Sequence, residues 1–234
     1  MAAERPIAGV KRVMIFGGTG MVGRGVLREC LLDGEVESVV TVGRNPTGVI
    51  HDKLREIVHT DFLNFEPIQE EFRNVDACFY TLGVSSASVD KPTYERITKD
   101  YTVSAANELI KHNPNMTFVY VSGMNTNAES NTHWERIKGE TENAILAMPW
   151  HGYIFRPGLI RSMHGEESKT KLYRWMYNVL RPVVALTHWI APGHMTTTEL
   201  IGLGFLELAK HGNTQKIFEN GEINTITQPN PAAL

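Results

Sequence analysis

The apolar run Val13-Met14-Ile15-Phe16 opens directly into Gly17-Gly18-Thr19-Gly20-Met21-Val22-Gly23, and an amphipathic stretch follows to Leu32. This succession constrains the fold more than any other feature of the chain. A buried strand must pass into a helix through a turn made almost entirely of small residues, the opening step of a parallel α/β sheet. Where side chains are absent an anion can approach the main chain, and free N–H groups at the positive end of the next helix attract it. A lone glycine pattern is weak evidence, so the meaning of the turn depends on the rest of the chain.

That context is a regular alternation. Apolar runs at Val13–Phe16, Val39–Val42, Ile57–His59, Val75–Thr81, Phe118–Val121 and Gly152–Arg156 read as strands. Helical patterns cover Met21–Leu32, Ile68–Phe72, Thr93–Lys111 and His133–Met148; in the third, Tyr94, Ile97, Tyr101, Ala105 and Leu109 draw one buried stripe, and Pro114 ends it. The order predicts an α/β, Rossmann-like, doubly wound parallel sheet with a small C-terminal substrate-side lobe. Residues 1–10 read as an arm and 11–160 as the dinucleotide-binding domain. Residues 161–234 read as the lobe and tail, packed on the same domain, with a helix over Thr198–Lys210 and an irregular end over Thr225–Leu234.

Composition narrows the class. The 234 residues are 42% hydrophobic and 21% charged, an ordinary globular balance. A net charge of -3 and a pI near 6.3 argue against a nucleic-acid binder. Two cysteines, Cys30 and Cys78, suggest neither a disulfide framework nor a metal cluster, and a cytoplasmic location fits. The first nine residues lack the apolar core of a secretory signal. The most apolar later stretch, Leu172–Ile190, is broken by Arg174, Asn178, Arg181 and Pro182, so no transmembrane segment is expected. Nine histidines form no His-Glu-x-x-His pattern, and no G-x-S-x-G elbow occurs. Lys169–Tyr177 mixes cations and aromatics and is read as a solvated helix over the pocket, ahead of an anion or membrane contact.

A dinucleotide site needs a ribose-reading residue roughly 20 residues beyond the glycines. Gly43-Arg44-Asn45 stands there. A carboxylate would accept hydrogen bonds from the ribose hydroxyls of NAD, whereas a cation pairs with a 2′-phosphate, so Arg44 favours NADP over NAD. Arg24 either assists with phosphate charge or is a solvated surface residue. Asp61, followed by Phe62, is a candidate partner for the adenine amino group, with a turn or helix cap as the alternative. Thr81-Leu82-Gly83 closes the fourth strand with a glycine that permits close approach by a ligand.

With these residues in place the chain resembles the short-chain dehydrogenase/reductase superfamily, in its extended or atypical branch of epimerase-like and Tat-interacting-protein-like members. The likeness spans residues 11 to about 160 and rests on GGTGMVG (Gly17–Gly23), VGR (Val42–Arg44), TDF (Thr60–Phe62), TLG (Thr81–Gly83), VYVSG (Val119–Gly123), WERIKGETE (Trp134–Glu142) and FRPG (Phe155–Gly158). It implies NADP(H) bound by Gly17, Thr19, Gly20, Met21, Val22, Gly23, Arg44, Asp61, Phe62, Thr81, Leu82, Gly83 and Lys138. It further implies chemistry by a serine and a Tyr-x-x-x-Lys helix. Ser122 and Lys138 match the serine and lysine, but Trp134 stands at the tyrosine position. An indole N–H is a donor only and does not shuttle protons near neutral pH. His133, Tyr94, Tyr101 and Tyr153 are the alternative proton donors, undecided by sequence. Two functions follow: a reductase or epimerase of a small carbonyl or hydroxyl compound with altered catalysis, or a non-catalytic NADP(H)-dependent sensor or interaction protein. The small-molecule partner is unidentified, and pairing of two copies is left open.

Overall fold

The computed structural model describes residues 9–165 and 195–227. Lys169–Tyr177, Leu172–Ile190, nearly all of the N-terminal arm and the tail from residue 228 lie outside the described residues.

Nine strands and six α-helices are described, with one 3-10 and one π segment among them. β1 (Arg12–Phe16) leads through the glycine turn to α1 (Met21–Leu32), β2 (Ser38–Gly43) and β3 (Leu54–Val58). A 3-10 segment (Glu66–Phe72) precedes β4 (Ala77–Tyr80); α2 (Lys91–Glu95), a π segment (Arg96–Asp100) and α3 (Tyr101–His112) then run on without a break to β5 (Thr117–Val121). Next come α4 (His133–Leu146), β6 (His151–Arg156) and β7 (Leu159–Arg161). Beyond the undescribed stretch lie β8 (Met195–Thr197), α5 (Thr198–His211), β9 (Ile217–Glu219) and α6 (Asn220–Ile223). Seven strands form one sheet in the order β3-β2-β1-β4-β5-β6-β9, every pairing parallel, while β7 and β8 pair separately.

Strand periodicity explains the layers. Successive side chains leave a strand on opposite faces. Val13, Ile15, Phe79, Val119 and Phe155 therefore pack on one side with Val26 and Leu27 of α1 and Ile201 and Phe205 of α5. Met14, Phe16, Tyr80, Phe118 and Tyr120 pack on the other with Ala105 and Leu109 of α3 and Phe72. Phe16 is the hub of the second core, stacked on Tyr80 at 5.1 Å and edge-on to Phe62, Phe65 and Phe72 at 6.4, 6.0 and 6.1 Å. Each such pair contributes about 0.5–1.5 kcal/mol beyond area burial. Together they hold the irregular 62–72 segment against the sheet.

Three features differ from the sequence reading. The helix expected over Thr93–Lys111 contains the π segment, one extra residue per turn that apolar spacing does not reveal. Ile68–Phe72 is part of a 3-10 segment rather than an α-helix. β9, where the sequence reading has no strand, adds a seventh strand against Ile154–Arg156. The parallel order puts every strand's C-terminal end on one edge. There the chain runs from β1 outward in both directions, which opens the crevice used by ligands in such sheets.

Candidate functional site

The glycine turn is built by exclusion of side chains. Gly17 has φ +85°, and a Cβ on it would lie 2.6 Å from the Leu82 amide nitrogen. The Gly20 amide donates to the Gly17 carbonyl at 2.9 Å, closing the turn. No side chain caps the N-terminus of α1 and its first turn carries no acidic residue, so the positive helix end faces the crevice uncompensated. A cavity of about 270 Å³ opens there, lined by Gly17, Thr19, Gly20, Met21, Val22, Gly43, Arg44, Asn45, Phe62, Thr81, Leu82 and Gly83. Gly23 lies behind it as packing: a Cβ on it would meet Thr81 Oγ1 at 2.7 Å. Thr81 Oγ1 donates to the Phe16 carbonyl at 2.7 Å and so ties β4 to β1 beneath the turn. A Cβ on Gly83, by contrast, would meet nothing within 4 Å.

A second cavity of about 500 Å³ continues from the first and shares Met21, Arg44, Thr81, Leu82 and Gly83 with it. Its far end is lined by Ser85, Ser88, Thr98, Tyr120, Ser122, Lys138, Leu159 and Ile160, among others. The two form one trough from Phe62 and Arg44 to Lys138, with the glycine turn in its wall.

At the far end, Ser122 follows β5 and is buried. Its Oγ lies 3.1 Å from Thr126 Oγ1, which itself donates to the Gly123 carbonyl at 2.7 Å. A hydroxyl has one proton, so Ser122 is the donor in this pair and its lone pairs are left toward the cavity. Lys138 Nζ donates to the Val121 carbonyl at 3.3 Å and sits 5.2 Å from the centre of the Tyr120 ring. Among the described residues it has no carboxylate within salt-bridge distance. Burial brings its ammonium down to about 8, against the opposing pull of Glu142. Trp134, one helical turn earlier on α4, converges on the same place: a Cβ on Gly123 would lie 3.9 Å from both Trp134 Cζ3 and Lys138 Cδ. Arg156 locks α4 to β6 and β9 through two bonds to buried Glu142 and one to Glu219 at 3.0 Å.

Other sequence candidates fall elsewhere, Phe62 of the first lining excepted. Asp61 is exposed and outside both linings; its Oδ1 accepts from the Leu63 amide at 3.1 Å, the turn-capping geometry. Phe62 beside it is buried and stacks on Tyr101 at 5.4 Å. Arg24 reaches the Thr47 carbonyl at 3.4 Å. Tyr153 is buried in the core, its hydroxyl engaged by the Asn213 amide and carbonyl, so it does not face the trough. His133 lies 3.9 Å from Glu95 and near Tyr94, whose hydroxyl is pushed above its usual pKa by burial.

Tyr120 and Thr98 are among the lining residues that escaped sequence reasoning. Tyr120 was accessible to it, because residues two apart in a strand share a face and Ser122 faces the cavity. Thr98 had no such signal, since it lies in the π segment.

A family model described as the NAD dependent epimerase/dehydratase family matches residues 13–143. FMP52 of Debaryomyces hansenii, named as mitochondrial, is 32% identical over 150 residues, which cover 62% of this chain and 65% of that protein, just under two thirds of its length. HTATIP2 of Rattus norvegicus is 24% identical over 226 residues, 88% of this chain and 93% of the relative. Among solved structures, the Bordetella bronchiseptica enzyme WbmF in complex with NAD+ and UDP superposes with a TM-score of 0.68 at 15% identity, over 92% of this chain and 72% of that one.

Proposed function

Since the chain belongs to the NAD dependent epimerase/dehydratase family, with the short-chain dehydrogenase/reductase fold, we propose that it binds NADP(H) along the trough and acts on a small carbonyl or hydroxyl compound at the Lys138 end. The observation that carries this reading is the continuity of the trough from the uncapped glycine turn to Ser122 and Lys138. The residues fit the cofactor. Gly17, Thr19, Gly20, Met21 and Val22 offer main chain and a helix end to the pyrophosphate, and Gly83 leaves room beside it. Arg44 supplies a cation for the 2′-phosphate, and Phe62 borders the adenine end, while Asp61 caps the turn beside it. Lys138 keeps two N–H donors for the nicotinamide ribose. When bound, the cofactor supplies or accepts a hydride. Ser122 polarises the substrate oxygen by turning its hydroxyl from Thr126 into the cavity.

Trp134 supports a second reading, in which the same protein holds NADP(H) without turnover and acts as a sensor or regulatory partner. The helix that offers Lys138 carries an indole where a proton-transferring phenol would stand. The cytoplasmic assignment rests on two buried, unbridged thiols, Cys30 and Cys78, which suit a reducing compartment.

Calorimetric titration with NADPH and NADH tests the shared premise. Binding of NADPH in preference to NADH is expected, and failure to bind either would overturn both readings.

A further inference from the structure

Thr47 is buried between two parts of the cofactor wall, although it lines neither cavity. Its methyl group and that of Thr41 lie beneath Gly18, where an added Cβ would meet them at 3.4 and 3.1 Å. Its carbonyl accepts from Arg24 Nη2, and its Oγ1 accepts from the Val49 amide at 3.2 Å. Both remaining donors go to one carboxylate: Thr47 N donates to Glu56 Oε2 and Thr47 Oγ1 donates to Glu56 Oε1 at 2.9 Å. Glu56 lies on the edge strand β3, in register with Thr41 of β2. Among the described residues it enters no ion pair. A partly buried carboxylate used wholly on a main-chain amide and a hydroxyl forms two charge-assisted bonds of the stronger kind.

The geometry is that of a clamp. The loop leaves β2 at Gly43, whose carbonyl accepts from the His59 amide at 2.9 Å, and it is pinned again at Thr47, three residues after Arg44. Arg44 is exposed and has no hydrogen-bond partner of its own among the described residues, so its place over the trough depends on how firmly these two pins hold the loop. We propose that Glu56 is a positioning residue for dinucleotide choice: by fixing Thr47 it holds the Gly43–Gly48 loop so that Arg44 meets a 2′-phosphate. This rests on the reading that Arg44 recognises that phosphate.

Calorimetry of the full chain with NADPH and with NADH tests it. Glu56→Ala is expected to weaken NADPH about tenfold while NADH changes less than about twofold, the scale of losing charged hydrogen bonds that act only through Arg44. Glu56→Gln should stay near wild type, because its amide oxygen accepts from Thr47 N while its NH2 donates to Thr47 Oγ1. In an Arg44→Ala background, Glu56→Ala should cause no further NADPH-specific loss. Thr47→Val keeps the methyl beneath Gly18 and removes one arm of the clamp; it should show a smaller loss of the same selectivity, and it serves if Glu56→Ala does not fold. Equal weakening of both nucleotides by Glu56→Ala and Thr47→Val would overturn the clamp, as would full additivity with Arg44→Ala or a Glu56→Gln variant as impaired as the alanine. Equal losses from Arg44→Ala alone would instead overturn the parent reading, and the clamp with it.

Discussion

Gly23 sits so close to Gly17 that a Cβ on Gly23 would stand 2.1 Å from the Gly17 carbonyl oxygen, whereas a Cβ on Gly20 would stand 3.4 Å from that atom. The two glycines therefore do different work. Gly23 lets α1 approach the turn, and Gly20 leaves space in front of it. Gly23→Ala should destabilise the fold by about 1–3 kcal/mol through overpacking. Gly20→Val should stay within about 1 kcal/mol of wild type, since φ -79° and ψ 166° at this N-cap suit any residue. Yet it should abolish measurable NADPH binding. Thermal melts paired with calorimetry separate the two effects, and undiminished NADPH affinity in Gly20→Val would sink the phosphate-turn assignment.

Arg44 lines both parts of the trough and carries the expected preference for NADP(H). Arg44→Ala should raise the NADPH dissociation constant by about tenfold to a hundredfold, the worth of a charge-assisted contact with phosphate, and leave NADH within about twofold. The NADPH loss should shrink at high salt, because an exposed guanidinium is screened. Titrations of both nucleotides at two ionic strengths check this, and parallel losses for both would contradict it.

What the sequence disclosed follows from how far apart the interacting residues lie. β1, the glycine turn and α1 form one contiguous unit whose pattern is local, so strand, turn and helix could be read directly. Ser122 could be singled out because it follows an apolar strand, and Lys138 because it stands four residues after Trp134 in a helical pattern; both line the far end of the trough. β9 was not legible: three residues, Ile217–Glu219, become a strand only by pairing with Ile154–Arg156, more than 60 positions away. The π segment was hidden because one additional residue barely disturbs apolar spacing over two turns. Asp61 showed the limit of residue type as a guide, since a carboxylate after a strand suits an adenine contact and a turn cap equally, and here it lies outside the trough lining and caps a turn. The bond between Thr47 and Glu56 joins a loop to the next strand, and no pattern announces it.

Lys138 offers a test by pH. Its ammonium is brought down to about 8 from 10.5 by burial. Below pH 8 the folded and unfolded chains both carry the proton, and the fold bears the full penalty of a poorly solvated charge. Between about 8 and 10.5 the unfolded chain binds more protons than the folded one, so this group's contribution rises with pH across that window. Lys138→Met should therefore raise the melting temperature most at pH 7 and progressively less toward pH 10.5, while weakening NADPH at every pH. A stability gain independent of pH would show that the ammonium is solvated after all.

Trp134 and Lys138 lie four residues apart on α4 and converge on Gly123, so a phenol at 134 would point toward the same end of the trough as the lysine. The choice between enzyme and sensor turns on that side chain. NADPH oxidation should be followed for wild type and Trp134→Tyr against a panel of aldehydes, ketones and quinones. A positioned general acid contributes about 10²–10⁴-fold. If wild type holds NADPH without turnover, the tyrosine variant should gain carbonyl-dependent oxidation on that scale, with unchanged NADPH affinity because the trough wall is untouched. If wild type already turns over as fast as the variant, the proton comes from elsewhere. Lys138, with its ammonium near 8, then becomes the group to replace next, because the Tyr120 hydroxyl beside it is held well above its ordinary value by burial.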